Sequence, residues 1–157
     1  MNTPATLQSF ETILAPYTER FNWRDDYRLD AYIAPAHLLE VIQTLHQHEW
    51  RYLAAMTGLD IPPVAATEST PEAEGQIEVL YQFCEGPCIL TLRVTVPYSQ
   101  PVIPSVCGLI PPATLYEREM IEMFGVEITN TPSTARLLLP DDWPDGVYPL
   151  RKSFKGL

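Results

Sequence analysis

Two alternating runs constrain the fold of this chain more than any other stretch. Ile77, Val79, Tyr81 and Phe83 fall on one face of a strand, and Cys88, Leu90, Leu92, Val94 and Val96 on one face of the next, because successive strand side chains point to opposite sides. Cys84-Glu85-Gly86-Pro87 joins them. A four-residue loop over these positions pairs Phe83 with Cys88, Tyr81 with Leu90 and Val79 with Leu92, so that both apolar faces meet. A three-residue loop turns one face outward. A one-residue slip flips every side chain, so burial selects the first register.

Helices are expected to cover that hairpin. Leu38, Val41, Ile42 and Leu45 recur at helical spacing after Pro35, which predicts a helix over 36–49 with one buried stripe. Thr3 and Pro4 are placed to open a short helix reaching about Ala15. Strands are expected over 27–33 and 51–57, the second ending at Gly58. Ile61 to Gly75 has turn formers, acids and no period, and reads as an exposed loop. Sixteen prolines, clustered at 62–63, 97–112 and 132–149, favour extended crossings over compact hairpins. The expected fold is α+β: a mixed sheet of four or five strands, helices mainly on one face, and an irregular Pro-rich C-terminal extension. The chain reads as one domain, 1–157, with a body over 1–112 and a motif-bearing helix and extension over 113–157.

Charge excludes some partners. Twenty acidic against ten basic residues give a net charge of −10, the opposite of the basic footprint that nucleic acid requires. Direct attachment to an anionic membrane is disfavoured for the same reason. No apolar run reaches the ~20 residues of a membrane-spanning helix. The opening Met-Asn-Thr-Pro-Ala lacks a basic n-region and an apolar h-region, so no signal peptide is expected. Three cysteines, an odd number, fit free thiols in a reducing compartment.

Motifs for catalysis are thin. Cys84 and Cys88, with Cys107, suggest metal ligands, but structural zinc and iron–sulfur sites take four, and the hairpin sends Cys84 and Cys88 to opposite faces. His46 and His48 are two apart and cannot face together on a helix. Glu117, Glu119 and Glu122 could be general acids or bases only if they converged on a pocket, and on one helix they are expected to fan outward. No glycine-rich phosphate loop is present.

The remaining signal lies from Glu117 to Phe154. Thr114 and Glu117 have capping-box spacing. Tyr116, Met120, Met123 and Phe124 share an apolar face, with Glu119 and Glu122 falling away from it. Gly125 stands where a left-handed residue would end the helix. Arg118 is adjacent to Glu117, cannot pair with it along the helix, and is expected to reach another element or chain. Downstream run R-L-L-L-P-D-D-W and Y-P-L-R-K. Trp143, Tyr148 and Arg151 are residue types that dominate interfaces.

The order and spacing of E-R-E, M-F-G, L-L-L-P-D-D-W and P-L-R-K resemble the 30 kDa subunit family of respiratory complex I, NADH:quinone oxidoreductase, which includes homologues in energy-converting [NiFe] hydrogenases. Weaker likeness reaches back to Leu53, Thr57 and Asp60. Departures stand at Ile121-Glu122, Asn130-Thr131-Pro132 and Ser153, where the family has Tyr-Asp, Gly-His-Pro and Asp. The turn Pro144-Asp145-Gly146-Val147-Tyr148-Pro149 is closer to the hydrogenase and formate hydrogenlyase version. The resemblance implies a non-catalytic subunit of the hydrophilic arm. Such a subunit binds no cofactor itself, in a complex that carries iron–sulfur clusters with FMN and quinone, or [NiFe]. The implied partners are the large quinone-site or [NiFe] large subunit and a neighbouring iron–sulfur subunit. The implied location is cytoplasmic, peripheral on the inner face of the cell membrane. Motif-matched positions for docking or fold support are Glu117, Arg118, Glu119, Phe124, Gly125, Arg136, Trp143, Pro149, Leu150, Arg151 and Lys152. The alternative from another class is a free-standing ligand-binding domain or enzyme on the same scaffold.

Overall fold

The computed structural model describes residues 5–18 and 20–156; the Thr3–Pro4 helix start lies outside them. The elements in order are α1 (Ser9–Leu14), β1 (Phe21–Asp25), β2 (Arg28–Tyr32), α2 (Leu38–Gln47), β3 (Tyr52–Ile61), β4 (Gln76–Glu85), β5 (Cys88–Pro97), β6 (Val102–Pro104), α3 (Thr114–Phe124) and β7 (Glu127–Thr129). A five-stranded sheet runs β1-β2-β5-β4-β3. The β2–β5 pair is parallel and the others are antiparallel, so the sheet is mixed, as expected.

The central hairpin keeps the predicted faces but not the predicted register. Phe83 pairs with Leu90, Tyr81 with Leu92 and Val79 with Val94, and Glu85 faces Cys88 across a two-residue turn. This is a slip of two residues from the four-residue loop, and a slip of two preserves which side chains face inward. Gly86 makes the tighter turn possible. Its φ of +54° is what a two-residue hairpin turn demands at its first position, and the tighter turn pairs more of the backbone.

Strand β3 runs through Gly58 rather than ending there. The ring of Phe124 lies 2.7 Å from where a Cβ at Gly58 would stand, so the glycine marks a close crossing of helix α3 over the strand. A bulge between Leu53 and Ala55 adds one residue to β3. It lets Leu53 and Met56 both reach the core despite their odd spacing. Strand β1 was not anticipated, nor was the parallel pair that β6, in the Pro-rich crossing, forms with β7 after α3.

The core lies on one side of the sheet. Phe10 and Leu14 of α1, the Leu38-Val41-Ile42-Leu45 stripe of α2, and Met120, Met123 and Phe124 of α3 join the inward residues of β2, β4 and β5 in one cluster. On the opposite face, Arg93 of β5 pairs with Asp30 of β2 at 2.9 Å and with Glu78 of β4. Trp50, buried after α2, donates its indole N–H to Ala5 O at 2.9 Å, tying the N-terminal segment to the start of β3.

Candidate functional site

Helix α3 and the segment that follows it form one built unit. A short 3-10 turn at Pro111–Ala113 leads in, where prolines cost no hydrogen bond. No side-chain cap is formed; Ala113 occupies the cap position and Thr114 is already helical. The predicted Thr114–Glu117 capping box is therefore absent, because Glu117 is used elsewhere. It is 0% exposed and accepts the backbone N–H of Val106 at 2.7 Å and the Ser105 hydroxyl at 2.9–3.0 Å. The carboxylate fastens the Pro-rich crossing to the helix.

Glu122 corrects the expectation of an outward fan in the same way. It is buried and accepts the N–H groups of Leu137 and Leu138 at 2.6 and 3.0 Å. One turn earlier, Arg118 donates Nε to Ala135 O at 2.7 Å and Nη2 to Arg136 O. Arg118 thus reaches another element, and that element belongs to its own chain. Glu119 is only partly buried. Acid and base on α3 together order a stretch, 130–156, that contains no helix or strand and whose backbone groups need partners from elsewhere.

The end of α3 is capped from far along the chain. Gly125 is left-handed, φ +69° and ψ +33°, and its N–H bonds Ile121 O. The next free carbonyls of the helix, Met123 O and Phe124 O, accept the N–H of Leu150 at 3.2 Å and Nε of Arg151 at 2.7 Å. These are the acceptors that every helix C-terminus leaves over. The Arg151 guanidinium also lies over the rings of Tyr98, at 4.5 Å, and Tyr148, at 5.0 Å. Lys152 donates its backbone N–H to Asp60 at 2.8 Å, and Asp60 also receives the Tyr98 hydroxyl. Burial, with Asp60 beside it, pushes the Tyr98 phenol up to about 12.

Arg136 stabilises the turn between these anchors. It donates to Pro140 O at 3.0 Å and to Trp143 O at 2.8 Å. The indole N–H of Trp143 bonds Val147 O at 2.8 Å, and its ring meets Phe154 at 6.0 Å. Arg118, Gly125, Arg136, Trp143 and Arg151 therefore form one internal network, with Phe124 wedged against Gly58, and Pro149 is half-buried. Leu150 and Lys152 present exposed side chains, and Leu138, which was not among the positions singled out, is 60% exposed. Its only sequence signal was its place in the Leu137-Leu138-Leu139 run. Asp60 and Tyr98 were not expected as latch residues, since nothing local links them to position 152.

This geometry makes Arg151 a fold element. Arg151→Ala should remove a charge-assisted hydrogen bond and two ring contacts, costing about 2–3 kcal/mol. Urea unfolding of the variant checks this, and a midpoint equal to wild type would show that the segment holds without it.

Little in the unit suggests bond chemistry. Burial pushes the thiols of Cys84 and Cys107 up, which keeps them protonated. Among the described residues, no three His, Cys, Asp or Glu side chains gather as metal ligands. No helix among them is long and apolar enough to cross a membrane.

Comparison with known proteins bears on the same stretch. The chain is 33% identical over 133 residues to formate hydrogenlyase subunit 5 of Escherichia coli K12, covering 83% of this chain and 22% of that protein. It thus spans about a fifth of the length of that relative. It is 29% identical to an NADH-quinone oxidoreductase subunit of Moorella thermoacetica, covering 84% of each. A solved structure of the membrane-bound sulfane sulfur reductase, an archaeal respiratory membrane complex, contains a chain of the same fold. The TM-score is 0.70 at 24% identity, covering 96% of this chain and 85% of that one. The model of the family described as the respiratory-chain NADH dehydrogenase 30 Kd subunit matches residues 31–157, a span that includes the whole α3 unit. On that match, the chain belongs to the respiratory-chain NADH dehydrogenase 30 Kd subunit family, whose members serve in respiratory and hydrogenase-type complexes.

Proposed function

We propose that this chain is a non-catalytic subunit of the hydrophilic arm of a complex I-like oxidoreductase. It docks on the large quinone-site subunit, beside an iron–sulfur subunit, and lies peripherally on the inner face of the cell membrane. The observation that carries this reading is the ordered 130–156 segment. Its polar residues are used to hold it against α3 and β3, while Leu138 and Leu150, 60% and 51% exposed, are left facing out with Lys152. A segment rigidified internally yet presenting apolar side chains is suited to binding, because little entropy remains to be lost.

The hydrogenase-type complex is the second reading, and the likeness to formate hydrogenlyase subunit 5 favours it. In that relative, a stretch similar to this chain belongs to a much longer polypeptide, which fits a domain that works against a larger neighbour.

The experiment is affinity purification of the tagged chain from detergent-solubilised native membranes, with partners identified by mass. Flavin and quinone-site subunits would place it in complex I. A [NiFe] large subunit would place it in a hydrogenase. Recovery of the chain alone would overturn the assembly role. The double variant Leu138→Asp, Leu150→Asp should keep its melting temperature within about 2 °C, as exposed substitutions usually do, and lose its partners. Retention of the partners would move the interface away from this segment.

A further inference from the structure

Residues 62–75 join β3 to β4, and all from 62 to 74 are exposed. The loop folds on itself, with Val64 and Ala73 exchanging backbone hydrogen bonds at 2.9 and 3.0 Å. Its attachment to the body is narrow. At the β4 end, Gly75 O accepts the N–H of Tyr98 at 2.9 Å. The Glu74 carboxylate accepts the N–H and the hydroxyl of Ser99 at 2.5 and 3.1 Å. Gly75 is buried, and a Cβ there would stand against the Tyr98 ring, well inside van der Waals contact. At the β3 end, the Tyr98 hydroxyl donates to Asp60, next to the last residue of the strand. Tyr98 thus holds both stems of the loop.

The same side chain holds the C-terminal segment. The Arg151 guanidinium lies over its ring at 4.5 Å. The second oxygen of Asp60 accepts the N–H of Lys152 at 2.8 Å. Asp60 is buried, so water does not readily replace either donor. A displacement of the ring that frees the loop therefore breaks the Asp60 bond and the Arg151 contact in one event. Release of Arg151 and Lys152 in turn uncovers the ring that packs on Gly75. Irregular segments open at low free energy unless they are anchored, and here two of them share one anchor.

We propose that Tyr98 couples loop 62–75 to the segment 148–156, so that the two open and close as one unit. Tyr98 acts as a positioning residue, and the device is conformational. Whatever holds one segment closed stabilises the other by the same factor, because linkage between two sites is reciprocal. Contact at the C-terminal segment is thereby transmitted to a loop that lies 73 or more positions earlier in the chain. The coupling is a property of the chain itself, so it stands or falls independently of the docking role.

The test is native-state amide hydrogen exchange on the full chain, with Gly75→Ala as a wedge. Gly75 is not one of the left-handed glycines, so the added methyl acts through the Tyr98 ring. The reporters are the Tyr98 N–H at the loop, and the Leu150 and Lys152 N–H groups, which bond Met123 O and Asp60. All three should exchange about tenfold faster, the scale of one overpacked contact, while amides at the centre of β4 and β5 hold. In a Tyr98→Ala background the collision is gone, and Gly75→Ala should leave Leu150 and Lys152 unchanged. If Tyr98→Ala does not fold, Tyr98→Phe keeps the ring and removes only the bond to Asp60. It should quicken the Leu150, Lys152 and residue-98 amides together. The proposal is overturned if Gly75→Ala quickens the residue-98 amide alone or none of the three. It is also overturned if the Leu150 and Lys152 amides respond equally in the Tyr98→Ala background, if the β4 and β5 amides quicken by the same factor, or if Tyr98→Phe moves one segment without the other.

Discussion

Glu117→Ala is expected to lower the unfolding free energy by about 3 kcal/mol, among the largest effects of any single polar substitution here. The carboxylate is fully buried and accepts the Val106 N–H and the Ser105 hydroxyl, whose single proton lies between both carboxylate oxygens. Alanine would strand a buried backbone N–H and a hydroxyl, and hydrogen bonds to a charged group are worth about 1.5–3 kcal/mol each before relaxation. The loss should propagate locally, since these bonds hold the turn between β6 and α3. Glu117→Gln separates charge from connectivity. Its amide oxygen can still accept from Val106, and its NH₂ can donate to the Ser105 hydroxyl, so the cost should fall to about 1 kcal/mol. Urea unfolding of both variants decides the matter. Equal midpoints for Ala and Gln would mean that charge, and not the lost contacts, governs the site.

Gly125→Val is expected to cost about 3–4 kcal/mol, or about 10 °C in melting temperature for a domain of this size. Two causes combine. A β-branched residue at φ +69° is held in a backbone region it resists, at about 1–2 kcal/mol. Any Cβ there would also collide with the ring of Tyr148, and overpacking costs about 1–3 kcal/mol. Because Tyr148 stacks with Arg151, the collision also loosens the cap on α3. The two causes separate in a double-mutant cycle. In a Tyr148→Ala background the collision is gone, and Gly125→Val should cost only the backbone part. An unchanged melting temperature for Gly125→Val alone would show that the left-handed turn is not needed.

Both substitutions act on a unit whose parts were visible in the sequence while its connections were not. The E-R-E, M-F-G and P-L-R-K motifs contain residues of this unit, and Gly125 was assigned its left-handed role from position alone. What the motifs do locally was misjudged for the acids. Glu117 and Glu122 lie on a helix face that would be solvent in an isolated helix. The folded chain lays its own 105–106 and 137–138 backbone across that face, and each carboxylate then becomes the acceptor for N–H groups that irregular chain cannot satisfy itself. Helical periodicity describes one element and carries no information about which segment returns to cover it.

The sheet divides along the same line. Alternation of apolar residues settled which faces of β4 and β5 are inward, because the period of two is a property of the strand itself. It could not choose between registers that differ by two residues, since both bury the same faces; the φ of Gly86 and the tighter turn decided that. Gly58 looked like a strand end and proved to be the place where Phe124 crosses. The bulge at Ala54 hid the inward setting of Met56. Sequence alone therefore determined the α+β class, the inward faces, the helix stop and the family, all of which rest on local pattern or motif order. Only the tertiary structure decided that Arg151 caps a helix ending 27 residues earlier and that Asp60 latches the tail. Those contacts join residues far apart in the chain, and they exist only once the chain has closed on itself.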